Sequence, residues 1–122
     1  MRYLGLVADY DDTLATAGTI SSAAAAGLER LRASGRHAIL ATGRRLDDLL
    51  ANCPCVDLFS YVVAENGALL YAPKTRESTL LANPLPDRFV KAVQDARIAP
   101  LEIGRVVLAT RVPNQDRILR II

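Results

Sequence analysis

Three short apolar runs, separated by helix-like segments, constrain this chain more than any other feature of its sequence. They are "YLGLVA" at residues 3–8, "RHAILATG" at 36–43 and "SYVVA" at 60–64. The first has no helical period and reads as a strand buried on both faces, and the second as another buried strand. Between them lies "SSAAAAGLERLRASG", with Ser21 and Ser22 as caps and Gly35 as a stop. Its Ala25, Leu28 and Leu31 recur at helical spacing. "RRLDDLLAN" predicts a short helix with Leu46, Leu49 and Leu50 inward. The third run leads into an Asn66-Gly67 turn and an extended return. Strand, helix, strand, helix, strand is the pattern of an α/β, Rossmann-like domain with a parallel sheet and right-handed crossovers. In such sheets ligands bind at the carboxyl ends of the strands, where residues 9–12 and Thr42-Gly43 fall.

The pattern changes at "LLANPLPDRF", where Pro84 and Pro86 punctuate the chain, so one unit is expected over residues 1–82 and another over 83–122. The second reads as a helix over 86–97 with Phe89, Val90 and Val93 inward, then a strand in "GRVVLATR". Pro113 opens a last helix whose apolar face holds Ile118, Leu119 and Ile122. That helix runs to Ile122 with no cap or polar tail, and the sequence reads as cut off. At 122 residues the chain suits one small domain, or one domain and a piece of another. Its net charge of +2 is too small to imply nucleic acid or a membrane surface, and no basic run exceeds Arg44-Arg45. No apolar segment is long enough to span a bilayer, and the N-terminus is unlike a signal peptide. Cys53 and Cys55 are one residue apart. A disulfide between them would be strained, and two thiols cannot complete a zinc site. They read as reduced structural thiols, and the chain as cytoplasmic.

The chemistry concentrates in "ADYDDTL", where Asp9, Asp11 and Asp12 fall within four positions at the end of the first strand. In an extended chain Asp9 and Asp11 project to the same side and could reach one bound group. One carboxylate can then act as nucleophile and the other as general acid and base. Magnesium, which favours oxygen ligands, would offset their repulsion. Thr42 offers a hydroxyl, and Gly43 leads into a helix at Arg44, whose N-terminal amides would favour a phosphate oxygen. Plainer readings stand beside these. The acidic cluster could be a helix-capping loop, and Arg44 could contact phosphate or sit solvated. Asn66-Gly67 is a turn requirement, His37 is structural, and Arg30, Arg32 and Arg36 form a solvated face.

"DYDDTL" resembles the first motif of the haloacid dehalogenase-like (HAD) hydrolases, DxDx[TV][LV]. "ILATGRR" resembles their second, and "VVAENGALLY" is similar to the Asn-Gly-Ala strand and turn of their Cof-type sugar-phosphatase branch. The resemblance implies that Asp9 forms an aspartyl-phosphate and that Asp11 protonates the leaving group, then activates water. It implies that Asp9, through its carboxylate, and Asp11, through its carbonyl, bind Mg²⁺. Thr42 and Gly43 would hold the phosphoryl group, and Arg44 is a candidate beside them for contact with phosphate or substrate. Asp12 has no implied catalytic role, and Thr13 is expected to brace the loop by hydrogen bonding. The family's third-motif Lys and fourth-motif acidic pair have no counterpart here: only Lys74 and Lys91 occur, and the aspartates after residue 71 are Asp87, Asp95 and Asp116.

The resulting expectation is an incomplete Rossmann-like HAD core followed by the start of an α/β cap. It would come from a Mg²⁺-dependent phosphatase of small phosphorylated metabolites such as sugar phosphates. This chain would itself be nearly inactive, and self-association through a sheet edge or the cap is expected. A phospho-receiver domain fits less well, because the third strand ends in "AENGA", without Asp. The alternative is a non-catalytic phosphate-binding or regulatory module.

Overall fold

A computed structural model of the chain describes residues 3–122, which divide after Leu81 into two compact units. In the first unit, β1 (Gly5–Asp9) pairs in parallel with β4 (His37–Ala41), which pairs in parallel with β5 (Tyr61–Ala64). Two antiparallel strands, β6 (Leu69–Ala72) and β7 (Glu77–Leu80), complete a five-stranded sheet in the order β1-β4-β5-β6-β7. The α/β, Rossmann-like architecture read from the sequence is the one observed, with the sheet mixed rather than wholly parallel.

Helix α1 (Ser22–Ala33) starts where Ser21 Oγ accepts the Ala24 N–H at 3.1 Å, and Gly35 follows its end at φ +76°. The serine satisfies one of the first-turn donors, and glycine takes the left-handed conformation without steric cost. Helix α2 (Leu46–Asn52) is shorter. Leu28 of α1 and Leu46 and Leu49 of α2 join Ala38, Leu40, Val62, Ala64, Leu69 and Tyr71 in one buried cluster. The strand residues in that cluster alternate, so they line a single face of the sheet. Ile39, Val63 and Leu70 alternate with them and are only half-buried.

That one-sided cover explains two corrections. The first strand is not buried on both faces: it is an edge strand of the described sheet, with Leu6 44% and Val7 64% exposed. A continuous apolar run signals burial only when layers cover both faces, and here the helices of this unit cover one. Leu50 is likewise exposed, because α2 turns Leu46 and Leu49 to the sheet and seven residues offer no second apolar face. Strand β7 carries the exposed sequence Glu-Ser-Thr-Leu, which had given no strand signal.

In the second unit, from Ala82, α3 (Asp87–Asp95) buries Val93 and half-buries Phe89 and Val90, as its periodicity predicts. The segment expected as one strand over 104–111 is instead half of a hairpin. β8 (Leu101–Ile103) pairs antiparallel with β9 (Leu108–Thr110), and the Gly104 N–H donates to the Val107 carbonyl at 2.8 Å to close the turn. The last helix is one short segment, α4 (Gln115–Leu119), with Ile118 half-buried and Leu119 and Ile122 exposed.

Candidate active site

The parallel pairing of β1 with β4 sets Asp9 beside Ala41, so the loops that leave these two strands start as neighbours. Beyond Asp9 the chain keeps its alternation for two more residues. Asp9 and Asp11 are exposed, and Tyr10 between them is fully buried. The Tyr10 hydroxyl donates to the Gly18 carbonyl at 2.9 Å and approaches the Asn52 carbonyl at 3.4 Å. Its ring thereby anchors the loop against α2 while both carboxylates stay on the open side. Burial pushes the Tyr10 hydroxyl above its ordinary pKa, so it remains a neutral donor.

The loop is closed by its backbone. The Asp12 N–H donates to the Ala15 carbonyl at 3.0 Å, and the Ala15 N–H to the Tyr10 carbonyl at 2.8 Å. Asp12 takes φ +57°, which aspartate tolerates better than most residues. The brace expected from Thr13 is not seen: its side chain is exposed and makes no hydrogen bond among the described residues. A small antiparallel flap follows, β2 (Ala15–Thr16) and β3 (Thr19–Ile20), turned by Ala17 and Gly18 at φ +52° and +78°.

Thr42 is nearly buried, and its hydroxyl oxygen accepts the Arg44 N–H at 3.1 Å. Its own N–H donates to the Val63 carbonyl at 2.9 Å, and its carbonyl accepts the Asn66 N–H at 3.3 Å. Thr42 is therefore fixed on three sides. Gly43 leaves room for the Asn66 side chain: a Cβ there would stand 2.8 Å from Asn66 Oδ1, so that exposed amide would have to turn aside. Asn66 takes φ +55° and Gly67 +98°, so the turn reading of that pair is correct, and it also walls the second loop.

Arg44 departs most from expectation. The helix does not begin there: Arg44 lies in a bend, Arg45 is the N-cap and Leu46 the first helical residue. Its guanidinium grips Asp11 with two bonds, Nε to Oδ2 at 2.9 Å and Nη2 to Oδ1 at 2.7 Å. Nη1 donates to Asp48 Oδ2 at 3.0 Å, and the group lies 5.1 Å over the Tyr10 ring. Two parallel charge-assisted bonds are the strongest geometry available to such a pair. They hold the Asp11 carboxyl below its usual range. Arg44 is thus paired with two carboxylates rather than freely solvated. Asp48 was not singled out by the sequence, although its spacing of four from Arg44 on a helix was available as a signal. Buried Glu65, whose N–H donates to the Arg44 carbonyl at 3.0 Å, was also missed as part of this wall.

The site therefore brings together Asp9, Asp11, Thr42, Gly43 and Arg44 from two adjacent loops, with Asp48 and Asn66 behind them. The profile of the haloacid dehalogenase-like hydrolases matches residues 6–99. The chain belongs to this family. Among solved structures, a HAD-like hydrolase from Bacteroides thetaiotaomicron is similar over 79% of this chain and 38% of its own, with 26% identity and a TM-score of 0.66. A HAD subclass IIB sugar phosphatase matches 75% of this chain and 35% of its own, at 26% identity and a TM-score of 0.51. A Thermotoga maritima protein shares the fold over 98% of this chain and 47% of its own, at 20% identity and a TM-score of 0.62. The chain thus spans less than half the length of each of these three solved structures. No curated protein matches it.

Among the described residues, no three His, Cys, Asp or Glu side chains cluster to hold a metal. Asp9 and the Asp11 carbonyl are two oxygen donors. That fits Mg²⁺, which commonly takes one or two protein carboxylates and completes its shell with water and phosphate. No helix among the described residues is long and apolar enough to cross a membrane. Cys53 and Cys55 are free, with their sulfurs 3.7 Å apart, as expected.

Proposed function

We propose that this chain carries the nucleophile half of a phosphatase site for small phosphorylated metabolites such as sugar phosphates. The observation that carries the reading is the exposed Asp9 carboxylate at the end of β1, beside the Thr42-Gly43 bend at the end of β4. Asp9 attacks phosphorus and accepts the phosphoryl group. Asp11 is the general acid and base: it leaves the Arg44 grip, which holds it ionised, to take up a proton, gives that proton to the leaving oxygen and later takes one from water. Thr42 and Gly43 border the transferring group, and Arg44 fixes the ionised form of Asp11 through its two-bond grip. Bound Mg²⁺, held by Asp9 and the Asp11 carbonyl, supplies charge neutralisation at the phosphoryl oxygens. The second unit, from Ala82, is the beginning of a cap. The sugar-phosphate class follows the likeness to the subclass IIB sugar phosphatase and the Asn66-Gly67-Ala68 turn.

No lysine stands in the third-motif position and no acidic pair in the fourth, so this chain meets phosphate with less positive charge than a full HAD site. A phosphate charge about 4 Å from Asp9 costs on the order of 4 kcal/mol at an effective dielectric near 20. That corresponds to roughly three orders of magnitude in rate. Phosphate release from a sugar-phosphate panel with Mg²⁺ should therefore fall about a thousandfold below the ~10 s⁻¹ of an ordinary enzyme. Whatever remains should vanish in Asp9→Asn. Residual release that Asp9→Asn leaves intact would remove Asp9 from the chemistry.

A further inference from the structure

At the opposite end of the sheet from Asp9 lies an open groove of about 760 Å³ that the phosphatase reading does not use. It is separated from the catalytic loops by the length of β4, about 13 Å at the usual rise per residue. Four cations line it, Arg32, Arg36, Lys74 and Arg76, against one carboxylate, Asp57. This is a strong local excess in a chain whose total net charge is only +2.

The cations come from two elements and are held differently. Arg32 Nη1 donates to the Asp57 carbonyl at 3.1 Å, and Arg36 donates to the Tyr3 carbonyl at 3.1 Å and to Ser34 Oγ at 2.8 Å. These bonds go to neutral acceptors, so each guanidinium is positioned without an ion pair among the described residues and with N–H groups to spare. Lys74 and Arg76 sit in the β6–β7 turn, fixed by the Arg76 N–H to Ala72 carbonyl bond at 2.8 Å, and make no ion pair among the described residues. Tyr61, 47% exposed at the start of β5, adds an aromatic face to the same groove.

We infer that this groove binds a nucleoside di- or triphosphate, its phosphates on the Arg32, Arg36, Lys74 and Arg76 cluster and its base on Tyr61. Positioned guanidiniums match phosphate oxygens in pairs. Four cations exceed the need of a single phosphate and suit a chain of them. An exposed aromatic ring beside phosphate-binding groups offers a base a stacking partner. The volume lies within the range of about 300–1,000 Å³ usual for small-ligand sites. The inference is independent of the chemistry proposed for Asp9.

Isothermal titration of this chain with ATP, tripolyphosphate and AMP, in EDTA at low salt, tests it. ATP should bind with a submillimolar Kd, at least threefold tighter than tripolyphosphate and at least tenfold tighter than AMP. Lys74→Gln/Arg76→Gln, with an unchanged circular dichroism spectrum, should weaken ATP at least tenfold. The charge-matched Arg88→Gln/Lys91→Gln should leave it within twofold. Tyr61→Leu should weaken ATP to the level of tripolyphosphate without altering tripolyphosphate itself. Absence of submillimolar ATP binding, or equal losses in the two charge variants, would overturn the site. Equal affinity for ATP and tripolyphosphate would overturn the nucleoside assignment.

Discussion

At the scale of single residues, the site depends on a few close approaches. Gly43→Ala should destabilise the chain by no more than about 1 kcal/mol, since its Cβ would meet only the Asn66 Oδ1 at 2.8 Å and that exposed side chain can turn aside. Chemical denaturation reads this directly, and adding Asn66→Gly should recover most of the loss. The Asp11–Arg44 pair gives a pH signature of definite sign. Because the folded carboxyl is held below its ordinary value, its contribution is present above about pH 4 and is lost as pH falls through the lowered folded value. Arg44→Gln should flatten that acid limb, seen in urea midpoints between pH 5 and pH 2. The two thiols should also differ. Burial, reinforced by the neighbouring Cys55, pushes Cys53 up to about 12, and its side chain is 1% exposed. Iodoacetamide at pH 8 should label Cys55 at least tenfold faster than Cys53, as mass spectrometry would show. The sequence singled out Asp9, Asp11, Thr42 and Gly43, because short motifs at strand ends state residue type and spacing, and the fold sets them on neighbouring loops. It could not locate the grip of Arg44 on Asp11, which joins residues 33 positions apart.

At the scale of elements, helix α2 shows what periodicity can and cannot say. Leu46, Leu49 and Leu50 all fit an inward stripe on paper, yet Leu49 is fully buried and Leu50 is 39% exposed. Leu49→Ala should cost about 2–5 kcal/mol, whereas Leu50→Ala should cost well under half as much. Equal losses in urea denaturation would contradict the placement of the helix. The helices and the three parallel strands were legible from their apolar residues, and α1 also from its Ser21 cap, whereas the other helices carry no side-chain cap and their ends were harder to place. The β2–β3 flap was not, because its turn uses Ala17 at positive φ where glycine, asparagine or aspartate would have signalled a hairpin. Strand β7 was hidden for a different reason. Its four residues are all exposed, so its pairing with β6 is made by backbone bonds and leaves no apolar alternation to read.

At the scale of the whole molecule, β1 matters twice. It carries Asp9 at one end, and along its length it leaves an open sheet edge with Leu4, Leu6 and Val7 exposed. An unpaired apolar edge is a template for another strand. The chain should therefore associate in the micromolar range, giving light-scattering masses above the 13.2 kDa of one copy, and Val7→Lys should restore the monomer. The same strand had read as fully buried because its sequence describes apolarity but not what covers it. The role proposed for Asp9 is to accept a phosphoryl group with the help of Mg²⁺. The most direct measurement is fluorine NMR of the chain with beryllofluoride, with and without Mg²⁺, beside Asp9→Asn. Bound fluoride resonances that need Mg²⁺ and disappear in Asp9→Asn are the expected result. No bound resonance in the unmodified chain, or one that survives Asp9→Asn, would contradict it.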